Sequence, residues 1–209
     1  MKESLGKPTP DVQNEQILTG RALYTGDMTR PGMLIGKLLY SPHASARITR
    51  LDVSKARELP GVAAVITHED IPGENSYLYF LPDQPLLAVD QINFMGDAVA
   101  AVAAESEETA QAALDAIEVE YEALQPICDP REAMKPEART IVEGFDNIIE
   151  HHHFEMGDIE AGFATADVIV ENTYNTQMIE QVHMETECAL AYRDFDDMLV
   201  VYASTQAPH

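Results

Sequence analysis

The chain has 209 residues, 45% of them hydrophobic, and a formal net charge of −23. That length can bury a core in one large domain or two small ones. The acidic balance argues against a nucleic-acid partner or an anionic membrane surface, and no apolar run approaches the roughly 20 residues that span a bilayer.

The polar start, MKESLGKPTPDVQNEQ, lacks the apolar core of a signal peptide, which places the expected location in the cytoplasm. Residues 1–14, with Pro8 and Pro10, read as an N-terminal arm. Beyond them, Gly20, Gly26, Pro31-Gly32, Pro42, Pro60-Gly61 and Pro72-Gly73 cut the chain into short pieces. Strands are predicted over residues 33–40, 46–53 and 62–67. Ser54 is the expected cap of a short helix over residues 55–59, ended by Pro60, which cannot donate the next backbone hydrogen bond.

Residues 94–121, FMGDAVAAVAAESEETAQAALDAIEVEY, join two hydrophobic periods. A small apolar run follows the turn signal Gly96-Asp97. Ser106 can then cap a helix carrying Glu107 and Glu108 at the positive end of its dipole. Ala110, Ala113, Leu114 and Ile117 share one face of that helix, and Ile117, Val119 and Tyr121 then alternate with Glu118, Glu120 and Glu122 as in a half-buried strand. Strand, helix and strand in this order predict a right-handed βαβ unit.

Residues 129–150 read as a linker because Pro130 and Pro136 interrupt any long helix; a short one is expected after Asp129 as cap, with Pro130 at its first position. Beyond residue 151 the pattern predicts a helix over 159–164, a strand over 168–176, and a hairpin of residues 188–192 and 198–203 around a turn at 194–197. This stretch is too short to close a sheet of its own, and its end after a strand and Pro208 reads as a cut rather than a finish.

Composition and spacing give little chemistry. There is no GxGxxG or Walker pattern, and no Ser-His-Asp order can be assigned. Cys128 and Cys188 stand far apart without metal-binding spacing, so reduced thiols are expected. Of His151, His152 and His153, only the outer two could share a face, and no further ligand accompanies them. The segment Ser204-Thr205-Gln206 follows a predicted strand, where a side-chain amide can be aimed at a ligand, although by spacing alone it is a solvated turn.

The segments TGRALYTGDM, PGMLIGKLLYSPHASARI, DVSKARELPGVAAVIT, EDIPG, QPLLAVD and GDAVAAVAAES, in that order, resemble the a/b hammerhead domain of the molybdenum hydroxylases, the xanthine dehydrogenase and aldehyde oxidase family. The resemblance covers nearly the whole chain. It implies an α+β fold: a hammerhead domain over residues 15–128, the linker, and over 151–209 the truncated N-terminal part of the molybdenum-binding domain. Its Gly and Pro positions are then turn requirements rather than a phosphate cradle.

The same resemblance makes Gln206 the cofactor-binding residue, since the glutamine of the family's STQ segment hydrogen-bonds an oxygen ligand of the molybdenum. Val182-His183-Met184-Glu185-Thr186 is similar to the stretch that precedes the family's hairpin, but Gln181 stands where a histidine is frequent. Glu185 is therefore expected as a buried, hydrogen-bonded support of the loop, and His183 as packing or support rather than a ligand.

By resemblance the parent is a hydroxylase that oxidises a purine with oxygen from water. Its cofactor is molybdenum-molybdopterin, as the pterin or its dinucleotide, with 2Fe-2S and FAD on partner domains or subunits. Another N-heterocycle such as nicotinate, an aldehyde, or a cofactor-free assembly module are the alternatives. No iron-sulfur cysteine spacing is present, and the family's FGG segment and general-base glutamate are expected beyond His209. The chain by itself is thus expected to bind no cofactor and to be catalytically silent, its partners being the remainder of the molybdenum subunit and the electron-transfer subunits in an oligomer.

Overall fold

The computed structural model describes residues 6, 8, 11–77, 83–144 and 146–206; Pro208 and His209, on which the expectation of a cut end rested, lie outside them, as does most of the expected arm. By contacts the described residues fall into two units. One is Gly32–Ile159, and the other joins the residues up to Pro31 with those from Glu160 onward.

The larger unit holds two three-stranded sheets. In the first, β5 (Ala98–Ala104) lies between β1 (Ile35–Tyr40) and β3 (Val62–Ile66), antiparallel to both. In the second, β2 (Ala46–Asp52) lies between β4 (Gln91–Ile92) and β6 (Glu118–Ala123), again antiparallel.

Strand β5 explains how the sheets share a core. Its side chains alternate between faces. Ala100, Val102 and Ala104 are buried with Ala110, Ala113 and Leu114 of helix α3 (Glu107–Ala116) and with Ala56 of helix α2 (Ser54–Arg57). Val99 faces the other way and is buried with Ala46, Ala88 and Ile92. Alanine at so many contact positions lets α3 lie close on the strand. Ile92 and Val99, both 0% exposed, each contribute on the order of 1.5–3 kcal/mol by burial.

The ends of α3 follow from its sequence. Ser106 Oγ accepts from Thr109 N at 3.1 Å, satisfying one of the amides that a first turn leaves open. The predicted βαβ unit does not form. Both edges of β5 are occupied by β1 and β3, so β6 has no place beside it and crosses into the other sheet. Charge favours its actual partner: Arg50 of β2 lies 3.2 Å from Glu120 and 3.6 Å from Glu118, and Arg47 lies 3.6 Å from Glu122. These exposed cross-strand pairs are screened by solvent and add little stability, but they match the acidic face of β6 to a basic strand.

Helix α2 starts one residue earlier than predicted, and Ser54 does not cap it. Asp52 Oδ1 accepts from both Ser54 N (3.0 Å) and Ser54 Oγ (2.6 Å), so the aspartate takes the turn and the serine becomes helical. Arg57, at its end, donates from Nη2 to Val65 O and to Asp70 Oδ2, both at 3.0 Å. Asp70 also accepts from Thr67 N at 2.8 Å, closing the 3-10 turn His68–Asp70.

Helix α4 (Pro130–Ala133) has the predicted cap, with Asp129 Oδ1 accepting from Arg131 N at 2.8 Å. The segment after it is tied to the second sheet: Arg139 Nη2 donates to Ser45 Oγ at 3.1 Å, and Gln91 Nε2 to Ile141 O at 2.7 Å. Asn147 Nδ2 bridges Ala133 O and Arg139 O.

The other unit contains helix α1 (Asn14–Leu18), a 3-10 turn at Thr25–Asp27, most of helix α5 (Ile159–Thr165), and the antiparallel pair β7 (Ala189–Arg193) and β8 (Leu199–Ala203). The predicted strand over residues 168–176 is absent: these residues form no ladder, and Val168 and Val170 are 78% and 74% exposed. An extended segment becomes a strand only where a neighbour takes its backbone hydrogen bonds, and among the described residues none lies alongside.

Candidate functional site

The hairpin is built from its turn. Asp194 Oδ1 accepts from Asp196 N at 2.9 Å and Met198 N at 3.0 Å, and Asp197 takes a left-handed backbone (φ 62°) that aspartate tolerates. The two strands then pair from Arg193↔Leu199 to Ala189↔Ala203. At their open end Ser204 N donates to Cys188 O at 3.0 Å, extending the ladder by one bond.

Gln206 stands at a bend just beyond this end and is exposed. Its side chain offers two donors and one acceptor on a neutral group. Glu185, three residues before Cys188, reaches the same end: its Oε1 accepts from Ser204 Oγ at 3.0 Å. The hydrogen bond is as expected, but the burial is not, since Glu185 is exposed. The hairpin alone gives it nothing to be buried under. His183 is exposed as well and packs against no core.

The N-terminal turn borders the same region. Tyr24, Gly26 and Asp27 on one side and Met184, Glu185 and Thr186 on the other line a cleft of about 290 Å³. Tyr24 N donates to Asp27 Oδ2 at 3.0 Å, which holds the turn. Arg30 lies with its Cζ 4.1 Å from the centroid of the Tyr192 ring, and that ring stacks on Tyr202 at 6.2 Å and 14°. The neighbouring Tyr202 hydroxyl is the main influence raising the Tyr192 hydroxyl's pKa, with a smaller contribution from burial and Arg30 opposing. The sequence gives no sign of this contact, because its partners lie at opposite ends of the chain.

The histidine run pairs with carboxylates close by in sequence. His152 Nε2 lies 3.0 Å from Glu150 and His153 Nε2 lies 3.6 Å from Glu155, all exposed. Among the described residues no three His, Cys, Asp or Glu side chains converge to hold a metal. Cys128 is exposed and Cys188 half-buried, and both are free thiols. At this end of the hairpin the exposed Gln206 carries a neutral amide, whose donors and acceptor are chemically suited to a polar contact with a bound group.

Comparison with known proteins places these features. The model of the "Aldehyde oxidase and xanthine dehydrogenase, a/b hammerhead domain" matches residues 19–125, and that of the "Molybdopterin cofactor-binding domain" matches residues 142–209. The chain is 42% identical over 205 residues to a probable xanthine dehydrogenase subunit of Bacillus subtilis, with 97% of this chain and 27% of that protein covered. It is 38% identical over 205 residues to the nicotinate dehydrogenase large molybdopterin subunit of Eubacterium barkeri, covering 98% of this chain and 48% of that one.

Among solved structures, the aldehyde oxidoreductase from Desulfovibrio desulfuricans superposes with a TM-score of 0.84 at 28% identity, over 96% of this chain and 24% of that one. A reconstituted CO dehydrogenase from Oligotropha carboxidovorans gives 0.81 at 32% identity, over 98% and 28%. The chain thus spans about a quarter to a half of the length of these relatives. With the hammerhead model matching half of the chain and the cofactor-domain model following it, the chain belongs to the xanthine dehydrogenase and aldehyde oxidase family of molybdenum hydroxylases, as a hammerhead domain followed by the start of the molybdenum-binding domain.

Proposed function

We propose that the chain is a part of the molybdenum subunit of a purine hydroxylase, and that its own contribution to the active site is Gln206. The observation that carries this reading is the position of Gln206, just past β8 at the hairpin end held by Glu185 and Ser204, within the region matched by the cofactor-binding model. The bound molybdenum-pterin group supplies a two-electron oxidation with oxygen from water. Gln206 donates an uncharged hydrogen bond toward that group and orients it without altering its charge. Glu185 holds Ser204, and through it the loop.

The purine assignment is supported by the 42% identity to a probable xanthine dehydrogenase subunit and by 35% identity to a probable hypoxanthine oxidase of Escherichia coli. A nicotinate-like heterocycle is the second reading, supported by the 38% identity to the nicotinate dehydrogenase subunit.

The domain boundaries in this reading are an arm at 1–14, the hammerhead at 15–128, a linker at 129–150 and the molybdenum-binding segment at 151–209. Large apolar side chains exposed at Val168, Tyr174, Met178 and Ile179 suit a surface covered by the remainder of the subunit. Iron-sulfur and FAD subunits or domains complete electron transfer in a cytoplasmic oligomer. No helix of the described residues is long and apolar enough to cross a membrane. The chain alone binds no cofactor and is inactive.

The test is expression of the complete reading frame with its partner subunits, followed by molybdenum analysis and assays with xanthine, nicotinate and an aldehyde. Molybdenum-loaded protein that oxidises xanthine fastest is the expected result. Full-length protein that is free of molybdenum and inactive overturns the enzyme reading, and a preference for nicotinate overturns the purine assignment alone.

A further inference from the structure

We infer that Arg30 is a positioning residue for the loop that carries Gln206, acting through the Tyr192–Tyr202 ring pair of the hairpin. The inference rests on Gln206 as the contact to the cofactor, and extends that reading to the N-terminal segment.

The turn Thr25–Asp27 is closed by Tyr24 N to Asp27 Oδ2 and by Met28 N to Thr25 O at 3.2 Å, so its exit direction is fixed. Arg30 precedes Pro31, whose ring restricts the arginine backbone to extended conformations. The guanidinium is thereby delivered over the Tyr192 face, 4.1 Å from its centroid, in the arrangement that favours a cation on an aromatic ring.

Tyr192 does not pair directly with Tyr202. In the register Tyr192 faces Val200 and Leu190 faces Tyr202, so the two rings are diagonal neighbours on one face of the hairpin. Tyr202 sits one residue before the end of β8, and Ser204, Thr205 and Gln206 follow immediately. A cation held on the first ring therefore restrains the second, and with it the strand end from which Gln206 projects. From the far side of the cleft, Glu185 grips Ser204. The loop is held by two anchors that come from different parts of the sequence.

The test uses Arg30→Ala, Arg30→Lys, Tyr192→Leu and Tyr192→Phe, first in the 209-residue chain by amide hydrogen exchange. The reporters are the Tyr202 and Ser204 amides, with amides of the β1–β5 ladder as internal controls. Arg30→Ala and Tyr192→Leu should each speed exchange of the reporters by about two- to fivefold and leave the controls unchanged. Arg30→Lys and Tyr192→Phe should stay near the parent, because cation and ring remain, and the double variant Arg30→Ala/Tyr192→Leu should be no faster than either single loss.

In the assembled, molybdenum-loaded protein, Arg30→Ala should lower kcat with KM unchanged, and should have no further effect on a Gln206→Ala background. Reporter exchange that is unchanged in Arg30→Ala, or equally fast in Arg30→Lys, overturns the inference. Turnover that is indifferent to Gln206→Ala overturns the cofactor role of the loop and not the anchor, which the exchange of Ser204 decides.

Discussion

Glu185 accepts a hydrogen bond from the Ser204 hydroxyl at 3.0 Å, tying the chain just ahead of β7 to the first residue after β8. The backbone bond from Ser204 N to Cys188 O already fixes the strand end, so the carboxylate orients the loop through Gln206 rather than creating the hairpin. Because Glu185 is exposed, Ser204→Ala should cost at most about 1 kcal/mol in urea denaturation. In the loaded enzyme the same change should reduce turnover while molybdenum content stays constant. A loss of molybdenum in step with turnover would instead make the contact a requirement for assembly.

The cap of α3 is a purely local device and should behave as one. Ser106→Ala removes the acceptor for Thr109 N and should destabilise the chain by about 1 kcal/mol, whereas Ser106→Asp should preserve stability. Midpoints of urea unfolding at constant slope measure both.

Ile92, on the short strand β4, is fully buried against Ala46, Ala88 and Val99. Ile92→Ala opens a cavity in the core under the second sheet, and a loss of about 2–5 kcal/mol is expected in denaturation of the chain. A loss below about 1 kcal/mol would mean that the region around β4 is not packed as described.

Asp70 predicts a pH dependence. The Thr67 amide, above all, holds its carboxyl below the usual aspartate range, with the Thr67 hydroxyl and Arg57 adding to the effect and burial opposing it. A carboxyl whose folded-state pKa is depressed stabilises the fold above its unfolded pKa, and that contribution disappears as pH falls through the folded-state value. Asp70→Asn should therefore lower stability at neutral pH, and the gap from the parent should narrow on acidification below the ordinary aspartate range. Thermal unfolding of both proteins across that window is the measurement; a gap that widens with acid contradicts the assignment.

The features legible in the sequence are those decided locally. Helix α3 is legible because its cap, its first-turn acids and its Ala110, Ala113 and Leu114 face lie within one short stretch, and the β7–β8 pair because its turn chemistry sits between two alternating runs. The pairing of β6 with β2 is not legible: it depends on β1 and β3 occupying both edges of β5, and on Arg47 and Arg50 meeting Glu122 and Glu120 across a long sequence separation. Ser54 loses the capping role because Asp52, two residues earlier, makes a short and charge-assisted bond. The strand expected over residues 168–176 shows the converse limit, since alternation marks a strand's faces but cannot supply its neighbour. In the other unit, Gln206 is singled out only by the family resemblance, its contact to a cofactor standing as a proposal, and Arg30 on Tyr192 is not legible at all.

The central claim is that the hairpin ending at Ala203 presents the Gln206 amide to the molybdenum cofactor, and coordinates of the loaded, full-length enzyme test it most directly. The Gln206 side-chain nitrogen should lie about 3 Å from a polar atom of the cofactor, within hydrogen-bonding range. A Gln206 amide pointing into solvent on the far side of the hairpin from the cofactor would contradict the account.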